Sequence, residues 1–306
     1  MITRQLGKDG PEVSAICFGA WPIGGGLGAV PEDQGIATVK AAIEVGMTFI
    51  DTAEGYQTSE SVLGKALKGQ RDKVFLATKL SGPEHSLEHM NRAVENSLRT
   101  LGTEYIDLYQ LHSPQPQWPI EDTMAGLLKL RDQGKIRYIG VSNFSAEETL
   151  EAMKYGPVHS SQPRYNMIWR EAEESVLGCC LENGVGVIPH SVLAKGLLGG
   201  KHRPGHRFAA DDERTRFNFF QGETFKMIHR VTERLRSWAE DHGRDIVQLA
   251  IAWALANPAV TSPIVGAKSP EQVYQNAAAA DWSLSAGDLE EIDGIMSGLT
   301  VAWIKD

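Results

Sequence analysis

The 306-residue sequence is poor in cysteine, has no long apolar run and carries no excess of basic residues. Its three cysteines, Cys17, Cys179 and Cys180, are too few for a disulfide framework, so we expect reduced thiols in a cytoplasmic protein. No apolar run reaches about 18 residues and no leader pattern is evident, which argues against membrane spanning and secretion. A formal net charge of −9 argues against a nucleic-acid surface, since such a surface needs a basic face.

The sequence does contain a regular alternation of short apolar strands and amphipathic helices. Residues 1–14 favour a β-hairpin with its turn at 8–11. The strand-like runs that follow are 15–19, 47–51, 74–79, 105–112, 136–141, 159–162, 185–190 and 260–265. Helices separate these runs, and two more helices close the chain. The order predicts an α/β fold, a single (β/α)8 TIM barrel over residues 1–306 with an N-terminal β-hairpin and extra C-terminal helices.

One long loop, residues 194–222, interrupts the alternation. It is rich in glycine and arginine, and loops of this length are usually lids or binding segments. We expect its phenylalanines, Phe217, Phe219 and Phe220, to fasten it down. We expect its histidines, His202 and His206, to lie at the surface.

Chemistry-bearing side chains collect at the ends of three consecutive predicted strands. Asp51 ends the second and Tyr56 follows in its loop, Lys79 ends the third, and His112 ends the fourth. In a barrel these ends face one pocket. An ammonium beside a phenol stabilises the phenolate, and a carboxylate keeps that ammonium charged. With a histidine to donate a hydrogen bond, this set is suited to protonating a carbonyl that is being reduced.

The chain resembles the aldo-keto reductases over nearly its full length, most closely the bacterial branch of short-looped general reductases. The matching stretches are 6–7, 19–24, 51–56 with 59–60, 78–79, 105–112, 134–144, 162–166 and 263–268 with Gln272 and Asn276. The resemblance implies an NADP(H)-dependent oxidoreductase that reduces aldehydes or ketones to alcohols, reversibly. In that role Tyr56 would be the general acid, Lys79 would lower its pKa, Asp51 would pair with Lys79, and His112 would orient the carbonyl.

The resemblance also implies a cofactor site. Its expected residues are Trp21, Ser142, Asn143, Gln162, His190, Ser191, Leu193, Gly196, Gly266, Lys268, Gln272, Gln275 and Asn276. Among them, Ser142, Asn143 and Gln162 would bind the carboxamide. Lys268, with Gln272, would face the 2′-phosphate. The family often has an arginine where this chain has Gln272, so the strength of the NADPH preference stays open.

His190 occupies the position at which the family usually has a tyrosine that stacks on the nicotinamide. An imidazole offers less area than a phenol and becomes charged in acid. We therefore expect weaker cofactor binding at low pH. For the substrate, a small carbonyl compound or alcohol, Trp21, Trp118 and Trp169 are candidate pocket residues.

Three other interpretations compete with this one. The glycines of 24–29 fit a dinucleotide-binding Rossmann pattern, although a flexible loop at the pocket rim explains them better. His85 and His89 match an inverted zinc-protease pattern, but we expect them on a solvated helix face and expect no metal site. The potassium-channel β subunits share the catalytic residues and act as partner-binding redox sensors, so the family resemblance alone does not settle function. The physiological substrate and the oligomeric state are not readable from the sequence.

Overall fold

Eight parallel strands form the centre of the molecule in the computed structural model, which describes residues 1–210 and 212–299. The N-terminal hairpin consists of β1 (Thr3–Gln5) and β2 (Glu12–Ser14). The central strands are β3 (Cys17–Gly19), β4 (Phe49–Asp51), β5 (Phe75–Leu80), β6 (Ile106–Leu111), β7 (Ile136–Ser142), β8 (Ser160–Gln162), β9 (Gly186–Val187) and β10 (Ile264–Gly266). The helices are α1 (Glu32–Glu44), α2 (Ser59–Ala66), α3 (Leu87–Leu101), α4 (Ile120–Asp132), α5 (Ala146–Met153), α6 (Val176–Asn183), α7 (Gly222–Asp241), α8 (Ile246–Ala256), α9 (Pro270–Ala277) and α10 (Ala286–Met296).

The strands are hydrogen-bonded in the order β10-β3-β4-β5-β6-β7-β8-β9, so chain order is kept around the sheet. The sheet closes where the segment after β9 meets the segment before β10. Val187 forms a parallel bridge with Val260, and the amide of Ile264 donates to the carbonyl of Pro189 over 2.8 Å. This closure confirms the predicted (β/α)8 barrel.

The barrel interior has an apolar layer below a polar one. Eight buried side chains from the hairpin and the strands form the apolar layer: Leu6, Val13, Cys17, Phe49, Ala77, Leu108, Ile188 and Ile264. Because side chains alternate along a strand, residues two positions further on point the same way. Asp51 is two residues after Phe49, and Lys79 is two residues after Ala77. Their polar side chains therefore lie directly above the apolar layer.

The hairpin covers the N-terminal end of the barrel and is fastened there by an arginine. Leu6 and Val13 belong to the apolar layer. The Arg4 guanidinium donates to the carbonyl of Leu255 over 3.1 Å and to that of Val260 over 2.8 Å. Arg4 thereby satisfies carbonyls at the end of α8 and in the segment that leads into β10.

Local sequence signals explain several of the helix starts. Ser145 and Asp245 form capping boxes with Glu148 and Gln248, and Ser86 caps α3.

Where the structure differs from expectation, the elements are shorter. The helix expected between the sixth and seventh strands is a 3-10 turn (Glu171–Glu173) followed by α6, and the seventh strand of the barrel has only two residues.

The long loop contains short 3-10 turns, including Glu213–Arg216 and Asn218–Phe220, rather than being irregular throughout. Phe219 and Phe220 are 1% and 5% exposed, so they fasten the loop as predicted, whereas Phe217 is half-buried and lines the cleft described below. The three cysteines are free thiols. Within the described residues, no helix is both long and apolar enough to cross a membrane.

We predict that Arg4→Met lowers the free energy of unfolding by about 2–3 kcal/mol, because buried carbonyls at the base of the barrel lose charge-assisted hydrogen bonds. Urea unfolding followed by circular dichroism measures this. Lys8→Met, which removes an exposed cation from the same hairpin, is the matched control. Equal unfolding midpoints for the two variants would show that Arg4 does not fasten the hairpin.

Candidate active site

A buried ion pair lies in the polar layer of the barrel. Lys79 Nζ donates to Asp51 Oδ1 over 2.5 Å and to the carbonyl of Thr52 over 2.8 Å, and the Lys79 side chain is fully buried. Burial by itself lowers the pKa of Lys79, but Asp51 and Tyr56 together outweigh it and raise that pKa. Lys79 is therefore a permanent cation below the cleft.

The second carboxylate oxygen of Asp51 is also satisfied. Gln110 Nε2 donates to Asp51 Oδ2 over 2.9 Å, and Gln162 Nε2 donates to the same atom over 3.1 Å. Gln162 Nε2 further donates to Gln110 Oε1 over 2.9 Å. Sequence reasoning placed Gln162 at the cofactor but did not find Gln110, and the network connects both amides to the Asp51 carboxylate.

The Tyr56 side chain approaches the Lys79 ammonium from the edge of the polar layer. Its hydroxyl lies 3.5 Å from Lys79 Nζ, and its ring packs edge-on against Trp21 with centroids 4.6 Å apart. Trp21 is itself held against Gly26, where a Cβ would fall 2.0 Å from the indole ring. Burial raises the pKa of Tyr56, and Lys79 opposes this without reversing it. The expected lowering by Lys79 is thus present, but the net shift is upward because burial and the nearby Asp51 charge outweigh it.

His112 completes the group. Its ring centroid lies 5.5 Å from that of Tyr56, and its Nδ1 lies 2.9 Å from Ser81 Oγ. Burial and then the positive charge of Lys79 lower the pKa of His112 to about 4, so the imidazole is neutral at neutral pH. All four predicted catalytic side chains therefore meet at one place.

A cleft of about 680 Å³ opens above these residues, within the range of about 300–1,000 Å³ typical of cofactor and small-molecule sites. Asp51, Tyr56 and His112 line it, and so do all thirteen expected cofactor residues. The structure thus brings together, in one cleft, residues that the sequence spreads over 256 positions from Trp21 to Asn276. Their individual roles remain predictions.

The backbone around the cleft is strained at several non-glycine positions. Asn143, Ser191 and Lys195 have φ values of 60°, 59° and 54°. Such left-handed residues are costly and cluster at functional sites. The Asn143 side chain makes two contacts. Its Nδ2 donates to the carbonyl of His112 over 2.9 Å, and its Oδ1 lies 3.0 Å from His190 Nε2.

His190 is held by both ring nitrogens, since its Nδ1 lies 2.9 Å from Ser191 Oγ. Burial, followed by the charges of Lys79, Lys195 and Arg164, lowers its pKa to about 3. We expected His190 to become charged in mild acid and to weaken cofactor binding. The expected charge in mild acid is corrected here, because burial first and the surrounding cations second keep the ring neutral well below neutral pH. The effect of acid on cofactor binding stays a prediction.

Lys268 also lines the cleft. Its Nζ donates to the carbonyl of Leu27, and its backbone amide donates to Gln272 Oε1 over 2.8 Å. Leu27 belongs to the glycine-rich 24–29 segment, which forms a loop at the rim of a barrel. The Rossmann interpretation of these glycines is therefore wrong.

Two of the three tryptophan candidates line the cleft. Trp21 and Trp169 do so, with the Trp169 ring 5.1 Å from that of Phe219 in the long loop. Trp118 is not among the residues lining the cleft and instead donates from Nε1 to the carbonyl of Pro83 over 2.8 Å. Its position after β6 suggested the pocket, but the loop directs the indole onto the 81–86 segment.

The structure corrects two histidine expectations. His202 lines the cleft, with Nε2 only 2.8 Å from Arg214 Nη1, whereas His206 is exposed as expected. His85 is 4% exposed rather than solvated, and burial lowers its pKa to about 4. Within the part of the chain that the structure describes, no three potential metal ligands come together.

Sequence reasoning also missed several charged residues of the cleft. They are Arg164, Lys195, Lys201, Glu213 and Arg214. Four of them belong to the long loop, whose arginine-rich composition was the only hint, because the loop's path decides which of its charges face inward; Arg164 follows β8 instead. Four of the five are cations, so the lining of the cleft is more basic than the chain as a whole.

Comparison with known proteins agrees with this geometry. The profile of the aldo/keto reductase family matches residues 15–297. Aldo-keto reductase YhdN of Bacillus subtilis is 40% identical over 310 aligned positions, which cover 97% of this chain and 94% of that protein. The structure of a glycerol dehydrogenase from Gluconobacter oxydans superposes with a TM-score of 0.89 at 31% identity, covering 98% of this chain and 96% of that one. An aldo/keto reductase from Klebsiella pneumoniae, solved in complex with NADP and acetate, superposes with a TM-score of 0.77 at 31% identity, covering 97% and 96%.

These matches span the barrel, the four strand-end residues and the cleft. The chain therefore belongs to the aldo/keto reductase family, which makes it an oxidoreductase.

Proposed function

We propose that the protein reduces aldehydes or ketones to alcohols with NADP(H), and that it catalyses the reverse reaction as well. The observation that carries the proposal is the contact of the Tyr56 hydroxyl, 3.5 Å from Lys79 Nζ, at the floor of the cleft. Tyr56 is the proton donor, Lys79 is its cationic neighbour, and Asp51 holds Lys79. His112 donates a hydrogen bond to the substrate oxygen.

The residues of the cleft fit this cofactor. NADPH, when bound, supplies the hydride. Both amide hydrogens of Gln162 are used within the barrel, so its Oε1 is left as an acceptor for a carboxamide N–H group. Ser142 and Asn143 offer further polar atoms there, and the neutral His190 ring offers a flat face. Ser191 and Leu193, which also line the cleft, are assigned to the pyrophosphate, and Lys268 provides a cation for a phosphate.

The protonation state of Tyr56 determines whether the site can reduce a carbonyl or oxidise an alcohol. Burial keeps the pKa of its hydroxyl above the ordinary value, so at neutral pH the phenol holds the proton that a carbonyl oxygen needs. The reverse reaction requires the phenolate to accept a proton from the alcohol, and that form becomes available only as the pH rises.

The solved relatives support this reaction class, since one is a glycerol dehydrogenase and another binds NADP. The substrate of this chain is a small-molecule carbonyl compound or alcohol, and Trp21 and Trp169 give its pocket an aromatic wall. The cytoplasmic location expected from the free cysteines and the single-domain organisation stay predictions.

We predict that Tyr56→Phe lowers kcat for carbonyl reduction by about 10²–10⁴-fold, because the proton donor is lost, while the NADPH dissociation constant stays within about twofold. NADPH consumption with a panel of aldehydes and ketones, together with cofactor titration by fluorescence, measures both. Tyr155→Phe, which removes a hydroxyl at the end of α5, is the matched control. Wild-type turnover in Tyr56→Phe would contradict the mechanism, and cofactor binding without any turnover in the wild type would favour the redox-sensor alternative.

Reduction and oxidation should differ in pH dependence. Below the pKa of Tyr56 the phenolate fraction rises about tenfold per pH unit, so the rate of alcohol oxidation should climb between pH 7 and 9. Reduction should stay nearly level over the same range, because the phenol remains protonated. Initial rates in both directions under saturating cofactor test this, and a level oxidation profile would show that Tyr56 is not the base.

The neutral His190 ring should make NADP⁺ binding insensitive to mild acid. We expect the ratio of dissociation constants at pH 5.5 and pH 7.5 to be the same, within about twofold, for the wild type and for His190→Tyr, which cannot gain a charge there. Isothermal titration calorimetry measures the four constants. A steeper loss of affinity in acid for the wild type would show that the ring does become protonated.

A further inference from the structure

His112 can donate a hydrogen bond to the substrate oxygen only if its ring hydrogen is on the nitrogen that faces the cleft. The imidazole alone does not determine which of its two nitrogens carries that hydrogen. A neutral imidazole carries one N–H, and a partner that donates to one nitrogen leaves that hydrogen on the other nitrogen. The His112 ring is neutral because burial and Lys79 disfavour its charged form. If Nδ1 bore the hydrogen, Nε2 would be a bare acceptor and would repel a carbonyl oxygen.

Ser81 is the partner that the structure provides. Among the described residues, the only hydrogen bond of the His112 ring joins Nδ1 to Ser81 Oγ, at 2.9 Å. The backbone on both sides is fixed as well, since the amide of His112 donates to the carbonyl of Leu80 over 3.1 Å and Asn143 Nδ2 donates to the carbonyl of His112. The ring therefore has little freedom to find another partner for Nδ1.

Ser81 is itself held in place from the neighbouring loop. Its backbone amide donates to Glu54 Oε1 over 2.7 Å. Gly55 packs against its side chain so closely that a Cβ at position 55 would lie 3.1 Å from Ser81 Oγ and 3.3 Å from its Cβ. The loop that carries Tyr56 thus also fixes the position of the hydroxyl that faces His112.

From this geometry we infer that Ser81 is a positioning residue whose hydroxyl donates to His112 Nδ1 and so fixes the tautomer with its hydrogen on Nε2. The inference rests on the proposed carbonyl reduction, because only a reaction at an oxygen needs a donor at Nε2. No proton moves between Ser81 and His112 during turnover. Ser81 acts through His112 and does not touch the substrate.

The test compares Ser81→Ala with Ser81→Thr, which keeps the hydroxyl, and with Ser86→Ala, which removes a hydroxyl that bonds Glu84 and the amide of His89 instead of the His112 ring. Long-range ¹H–¹⁵N spectra at pH 7 report the tautomer of His112, and the His112→Gln spectrum assigns its signals. This readout needs no turnover, so it is independent of whether the proposed reaction is correct.

We expect Ser81→Ala to lose the predominance of the Nε2–H form and to lower kcat about tenfold, with KM for NADPH unchanged. Ser81→Thr and Ser86→Ala should keep the wild-type tautomer and kcat. An unchanged tautomer in Ser81→Ala would overturn the inference, as would a changed tautomer with unchanged kcat in an enzyme that reduces carbonyls. If the wild type reduces no carbonyl, the proposed function fails while the spectra still decide the tautomer.

Discussion

The ion pair between Lys79 and Asp51 is the constraint on which the rest of the site depends. Taking two charges into a barrel interior costs several kcal/mol per ion, and mutual attraction offsets this only where the remaining donors and acceptors are satisfied. Here each is satisfied. Lys79 also bonds the carbonyl of Thr52, and Asp51 accepts from Gln110 and Gln162 through its second oxygen. The polar layer is therefore one connected unit, supported from below by an apolar layer that excludes water.

Burial and the charge of Lys79 together determine the charge of the two residues above the pair. Burial first and the charge of Lys79 second lower the pKa of His112, so that the imidazole is neutral. At Tyr56 the two effects oppose each other, and because burial outweighs Lys79, the pKa is raised and the phenol stays protonated. The floor of the cleft therefore has two neutral groups that can donate hydrogen bonds. The proposed reduction of a carbonyl requires this condition, because a charged imidazole would be a second acid beside Tyr56.

The fold and the catalytic residues were predictable because both follow from short-range rules. Strand periodicity determines which side chains face inward, and this rule alone is enough to place Asp51 and Lys79 together. Gln110 follows the same alternation, two residues after Leu108, but an amide side chain gives no signal of chemistry by itself and sequence reasoning did not single it out. Ser81 was not found, since its contact depends on the path of a loop. Trp118 was misplaced for the same reason. His85 and His202 were expected in solvent, but local patterns do not report what a neighbouring helix or loop covers.

The lining of the cleft is rich in basic residues, although the chain as a whole is acidic. The protein has a formal net charge of −9, yet five basic residues line the cleft: Arg164, Lys195, Lys201, Arg214 and Lys268. Two of them have carboxylate partners from the same long loop, with Lys195 Nζ 3.0 Å from Glu213 Oε1 and Arg214 Nη2 2.5 Å from Asp212 Oδ2.

Because of these ion pairs, an anion that binds in the cleft also affects the interactions within the long loop. A phosphate that approaches Lys195 or Arg214 competes with Glu213 or Asp212 for the same donors, so binding must change the charge balance of the loop. Lys268 shares this environment, because its charge helps to lower the pKa of Asp212. Cations from the long loop and from outside it thus face the cleft of a chain whose net charge is negative, and a local concentration of positive charge of this kind attracts anions.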